Sequence, residues 1–260
     1  MRPPEMENPG GQTGAGEVDQ VNNRYSHNTP NPHELQAMSV NLHPAHLADL
    51  QQSGLTDKTI QAAGIYTVTP GEIGKKVGGN DGGIISMLAF PYPGGEPFER
   101  FKCWYEQEGK DGPKYRQKKD TQNRLYLPDT FDLAGDGHLA LCEGEKKTLA
   151  LNQAGIPAVG IGGVWNWCQK GEGYKKPKES QPIPDLDRVN WVRPVTIIFD
   201  SDGHDDRMVR LAAFRLAREL SRRGAAVSIL FLPHGKNGEK VGADDFLVAH
   251  GPAKLREMLP

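Results

Sequence analysis

Long apolar runs are missing from this 260-residue chain. No stretch approaches the roughly 18 residues that a membrane span requires. The N-terminal MRPPEMENPGG has no basic segment leading into an apolar one, so no signal peptide is expected. Cysteine is scarce. Cys103, Cys142 and Cys168 have no close spacing, which argues against a zinc ribbon or a disulfide framework and makes a reducing cytoplasm the expected setting. Charge of one sign is also lacking. At a net −2, no global field draws the chain onto nucleic acid, and any such binding must come from a local patch. No GxxxxGK(S/T) loop is present, so an ATPase of the P-loop kind is excluded. Hydrophobic residues make up 37% against 31 Gly and 20 Pro, which implies a folded part with substantial loops or tails.

What is present falls into four stretches. Residues 1–36 are polar and rich in Gly, Pro and Asn; they read as a disordered tail that buries too little to order itself. In the small helical unit expected over 37–80, Leu47, Leu50, Leu55, Ile60 and Ile65 are spaced for two short helices. Gly54 stops the first and Thr56 caps the second. Residues 81–130 read as β-rich, with two strands around a PGGE turn. Between Lys102 and Arg124 seven Lys or Arg face four acids, a net of +3, with Trp104, Tyr105, Tyr115 and Tyr126 in or beside them. Basic residues interleaved with aromatics suit single-stranded nucleic acid, because phosphates take the charge and bases stack on rings. A solvated hairpin explains the pattern equally well.

From 131 to 260 strand and helix alternate: HLALC, EKKTLALNQAG, IPAVGIGG, RPVTIIF, DDRMVRLAAFRLARELSRRG, AAVSILFLP. Near-continuous apolar strands separated by helices predict an α/β fold with a parallel sheet covered on both faces. Residues 169–190 interrupt the rhythm and read as a charged surface loop. In such a sheet ligands gather at the carboxyl ends of the strands, and three acidic clusters fall there: Glu143 with Glu145, Asp200 with Asp202, and Asp244 with Asp245. Taken singly, Asp205 and Asp244 read as helix caps. Asp200 and Asp202, two apart at a strand end, can project toward one ion. With Glu143 from another strand they form an all-oxygen set that suits Mg²⁺ or Mn²⁺ rather than zinc. His204 reads as a solvated residue, Cys142 as an inert buried thiol, and at least one of Trp165 and Trp167 as core.

LALCEGEKKTLALNQAGIPAVGIGG, VTIIFDSDGHDD and GADDFL together resemble a Toprim domain, the metal-binding, Rossmann-like α/β module of bacterial DnaG-type primases, topoisomerases, phage primase-helicases and some nucleases. With LQQSGLTDKTIQAAGI, GPKYRQKK, NRLYLP and GIGGVWNW added, the chain resembles the primase-type Toprim-like proteins of phages, plasmids and integrative elements, over roughly residues 40–258. The resemblance implies a Toprim parallel sheet flanked by helices, preceded by a small α+β region. It also implies a metal-dependent primase-like nucleotidyltransferase, or its Toprim subunit, acting in DNA replication of a mobile genetic element. A Toprim nuclease cleaving phosphodiesters and a non-catalytic single-stranded DNA-binding accessory to a replicative helicase are the alternatives. Topoisomerase chemistry is disfavoured, since no Tyr-bearing cleavage domain of adequate size remains.

By resemblance Glu143, Asp200 and Asp202, with Glu145, Asp244 and Asp245 as further candidates, would hold Mg²⁺ or Mn²⁺, and Glu143 would also act as general acid or base. Lys114, Arg116, Lys118, Lys119 and Arg124, from a reduced form of the primase basic subdomain, would guide template. Lys146, Lys147, Arg207 and Arg210 would contact phosphate, and Trp165 would stack on a base. Two departures stand out. Many primase Toprim domains carry an acid where this chain has Lys147, and the zinc module that primases use on template is absent from the sequence. Single-stranded DNA and nucleotides are the expected ligands, a replicative helicase the expected partner, and no membrane association is expected.

Overall fold

The computed structural model describes residues 42–106, 112–169 and 181–260. The tail expected over 1–36, and residues 170–180 of the expected insertion, lie outside the described residues.

Two short helices open the described chain, α1 (Pro44–Gln52) and α2 (Asp57–Ala62). Gly54, at φ +72, turns the chain out of α1, and the Thr56 hydroxyl caps α2 by accepting from the Thr59 amide at 3.3 Å. Leu50, Leu55, Ile60 and Ile65 are buried, the stripe that the spacing predicts. An antiparallel sheet follows in the order β1 (Tyr66–Val68), β2 (Ile84–Tyr92), β3 (Phe98–Tyr105), β4 (Tyr115–Gln117), with a short helix α3 (Ile73–Val77) between β1 and β2. Strand alternation splits β3. Phe101 and Cys103 pack beneath α3 with Ile73 and Val77, while Arg100 and Lys102 lie buried on the other face.

The second sheet has the order β5 (Leu125–Tyr126), β7 (Ala158–Ile161), β6 (Leu139–Glu143), β8 (Pro194–Phe199), β9 (Ala226–Phe231). The four strands β6 to β9 are parallel, as the alternation of strand and helix predicts. β5 pairs antiparallel with β7, so the sheet is mixed; this two-residue edge strand is the lead-in from the first sheet. Helices α4 (Glu145–Gln153) and α6 (Ala243–Arg256) cover one face over Ala140, Cys142, Ala158 and Ile198. Helix α5 (Arg207–Arg222) covers the other, setting Ala213, Leu216 and Leu220 against Leu139, Leu141, Ile197 and Phe199. This is the expected α/β architecture, helices on both faces of a sheet whose strands are largely apolar.

Part of the segment expected as a surface loop belongs to the core. Ile183, Leu186, Val189 and Trp191 are buried under the α5 face, and the Trp191 indole donates to the Leu186 carbonyl at 2.6 Å. The charges around these apolar residues masked them in the sequence. No described helix is long and apolar enough to cross a membrane.

Connectivity places the crevice. β6 leads through α4 to β7 on one side, and β8 leads through α5 to β9 on the other. The loops leaving β6 and β8 therefore diverge, which opens a cleft at the carboxyl ends of these adjacent strands. Glu143 is the last residue of β6, and Asp200 follows the last residue of β8.

Candidate functional site

The crevice is built by the first turn of α4. Successive helical residues point about 100° apart, so Glu145, Lys146 and Lys147 reach three different partners. Glu145 is buried, accepting from Arg100 Nη1 at 2.8 Å and from the Tyr92 hydroxyl at 2.6 Å, both on the antiparallel sheet. Lys146 reaches Asp49 of α1 at 3.2 Å, an aspartate that also takes Lys102 at 2.5 Å. Lys147 turns into the crevice, with its Nζ 2.7 Å from the Asp200 carboxylate.

The DSD loop is fixed to the loop leading into α6. The Ser201 amide donates to the Val241 carbonyl at 3.0 Å, and the Val241 amide donates back to Ser201 Oγ at 2.9 Å. This brings GADD beside DSD. Lys240 bridges both aspartates, 3.1 Å from Asp200 Oδ2 and 2.5 Å from Asp202 Oδ2. Gly242 lets Lys147 pass: an added Cβ would stand 2.5 Å from Lys147 Cε and 2.8 Å from Asp244 Oδ1. Asp244 is buried and its Oδ1 has no hydrogen-bond partner among the described residues; the same is true of Glu145 Oε2. Arg100, Tyr115, Glu143, Lys146, Lys147 and Asp244 line a cavity of about 80 Å³ here.

The electrostatics follow from this packing. Burial raises the pKa of Glu143; Lys147 opposes the shift, and Asp200 adds to it. Burial alone would lower the Lys147 pKa, but Asp200 and Glu143 outweigh it and hold the ammonium well above the usual lysine range. The Arg100 guanidinium is likewise raised: burial opposes, and Glu145 prevails. Burial pushes the Cys142 thiol up to about 12, which makes it the inert thiol expected.

The acids expected to bind metal divide between roles. Asp245 caps α6, accepting from the Gly242 amide at 3.0 Å. Asp206 caps α5, accepting from the Met208 amide at 2.6 Å. In each case the cap falls one residue after the Asp244 and Asp205 expected from sequence; Asp205 pairs instead with His234 at 3.0 Å. Glu145 belongs to the Arg100 pair. Glu143, Asp200, Asp202 and Asp244 remain around the crevice, and all their donors are carboxylate oxygens, a chemistry apt for a hard divalent ion. Their geometry does not fit one. Among the described residues no group of three or more His, Cys, Asp or Glu is placed to hold a metal ion. Lys147 and Lys240 occupy the Asp200 carboxylate, and Lys240 also takes Asp202.

The expected nucleic-acid residues also divide. Lys114, Lys118 and Lys119 are exposed, and none has an ion-pair partner among the described residues. Arg116 is tied to the carbonyls of Asp81 and Asn80 at 2.8 and 3.4 Å, and Arg124 to Asp185 at 2.7 Å. Arg207 is exposed, whereas Arg210 is held on the carbonyls of Gly203 and His204 at 3.3 and 2.5 Å. The Arg215 guanidinium lies 5.7 Å from the centre of the half-buried Trp165 ring. Trp167 is in the core. The rings expected to stack on bases do not form an open platform. Trp104 lies against His46 at 4.2 Å, Tyr126 is fully buried, and Tyr115 sits half-buried beside Arg100. Trp104 of β3, Tyr115 of β4 and Tyr126 of β5 are spent on the core that the two sheets share with α1.

Sequence reasoning missed Arg100, Tyr92, Asp49 and the place of Lys147. Gly162 was the available signal for Arg100: a Cβ there would lie 2.5 Å from Arg100 Cζ.

The class of protein thus defined is an α/β module with a lysine-neutralised acidic crevice at its strand switch point. Residues 137–254 match the model of a family described as Domain of unknown function (DUF3854). The match spans β6 to β9 and carries every crevice acid, with Lys147 and Lys240. No curated protein matches the chain.

Proposed function

We propose that the chain is a Toprim-like, primase-type module in the DNA replication of a mobile genetic element, and that its crevice binds the phosphates of single-stranded DNA or of a nucleotide beside a replicative helicase. The observation that carries this reading is the crevice itself. The EGE, DSD and ADD clusters converge where the strand connections diverge, with Lys147 and Lys240 at its centre and Arg100 and Lys146 in its wall. Glu143 has no hydrogen-bond or ion-pair partner among the described residues and is half-buried with a raised pKa, so it is the group placed to accept or give a proton at a bound phosphate. Exposed Lys114, Lys118 and Lys119 supply a sequence-blind approach for the backbone.

A second reading, primase-like nucleotidyl transfer or phosphodiester cleavage with a divalent ion, is favoured by one feature: the buried Asp244 Oδ1 has no hydrogen-bond partner among the described residues. It requires Lys147 and Lys240 to leave Asp200. One experiment separates the readings. The full chain is incubated with labelled single-stranded DNA, nucleotides and Mg²⁺ or Mn²⁺, and resolved on native and denaturing gels beside Asp200→Ala/Asp202→Ala. A shifted, unaltered strand supports the binding module. New short products or a shortened template, lost in the variant, support the second reading. An unshifted, unaltered strand removes both.

A further inference from the structure

We propose that Lys147 is the resident cation of the crevice, standing where Glu143, Asp200 and Asp244 would otherwise need a divalent ion, so that the site neutralises itself and engages phosphate without metal. The inference rests on the reading of the crevice as a phosphate site.

Three observations carry it. Lys147 Nζ is 2.7 Å from the Asp200 carboxylate, a residue buried at the end of β8. The lysine stem and Asp244 Oδ1 flank the same point above Gly242, at 2.5 and 2.8 Å from an added Cβ, so the glycine keeps the channel open for the side chain. Asp244, 5% exposed, is a second buried carboxylate beside the lysine stem. A buried carboxylate without a counter-charge is costly, and at this position the chain supplies the counter-charge from its own helix α4. A lysine ammonium is a compact charge with three donors. It can hold Asp200 and still present a proton to a phosphate oxygen entering the cavity. Lys240, about half exposed and bridging Asp200 to Asp202, is the second and more exposed cation of the same set.

The prediction is a gain of metal binding when the lysine is removed. Mn²⁺ is titrated into the full chain and followed by electron paramagnetic resonance, with circular dichroism on every sample. Wild type is expected to bind no stoichiometric Mn²⁺. Lys147→Asp restores a fourth carboxylate and is expected to take up one ion, at least about tenfold more tightly than wild type. Lys147→Met, which removes the charge and keeps the bulk, serves if the aspartate variant does not fold without metal. Wild type binding one Mn²⁺ that Asp200→Asn abolishes would overturn the proposal. So would a folded Lys147→Asp chain with no Mn²⁺. Shift of a labelled single strand in EDTA, read on the same preparations, tests the phosphate reading separately: its loss would remove that reading while the Mn²⁺ result still decides the place of Lys147.

Discussion

Lys147, Arg100 and His46 show how single residues fix this protein. His46 is buried, with Nδ1 2.8 Å from Thr67 Oγ1 and Nε2 2.8 Å from Ser86 Oγ. Burial first, then the nearby His43 and Lys102, lower its pKa from 6.5 to about 4, against the opposing pull of Asp49. The folded chain therefore binds this proton later than the unfolded one as pH falls. Stability is full above pH 6.5 and declines as pH drops toward 4, by at most about 3 kcal/mol. Urea denaturation at several pH values should show this slope in wild type and a flatter one in His46→Gln. Gly162→Ala should destabilise by about 2–4 kcal/mol, since the new Cβ displaces the Arg100 guanidinium from Glu145; a melt beside Gly163→Ala, whose Cβ meets nothing nearer than 3.5 Å, checks it. Glu143, Asp200 and Asp202 were legible in the sequence because strand ends mark themselves by a change from apolar to acidic. Lys147 was legible as a departure from an acid and, with Lys146, as a phosphate contact, but not as the partner of Asp200. Its partner lies on another strand, and its path depends on a glycine 95 positions later.

The element that organises the site is α4. Its first turn sends one side chain to the antiparallel sheet, one to α1 and one to Asp200, so the EKK sequence joins three parts of the chain. Helices and apolar strands were legible from periodicity, and Thr56 and Gly54 from the chemistry of caps and stops. The caps of α5 and α6 fell one residue off, because runs such as HDD and ADD offer two aspartates, and only the backbone geometry selects between them. Asp206→Ala should cost about 1 kcal/mol, while Asp205→Ala, whose carboxylate is exposed on His234, should change little. Paired thermal melts check the difference. The basic stretch misled for a related reason. Net charge and aromatic content do not say which side chains are already engaged: Lys102, Arg124 and Tyr126 turn inward, and Arg116 is held on the carbonyls of Asp81 and Asn80.

Across the whole molecule the two sheets share a core. Leu88, Phe90, Tyr92 and Phe98 of one pack with Tyr126 of the other and with Leu149 and Ala150 of α4, and the Arg100–Glu145 pair lies inside that contact. Removing one partner of a buried pair leaves an uncompensated charge, so Arg100→Met alone should cost about 3–5 kcal/mol, and much of that should be recovered by adding Glu145→Leu. A double-mutant cycle by chemical denaturation gives the coupling. The same seam supplies the wall of the crevice, so the shared core and the proposed site meet at α4. The central claim is that this crevice binds nucleic-acid phosphates through the chain's own cations. Its most direct test is the anisotropy of a labelled single-stranded oligonucleotide titrated with wild type and Lys147→Met in EDTA over a range of salt. The account predicts binding without divalent ions, affinity that falls linearly on a log–log plot with salt, and a loss on the order of tenfold in Lys147→Met, the loss of one charged contact. No binding in EDTA, with binding restored by Mg²⁺, would contradict it.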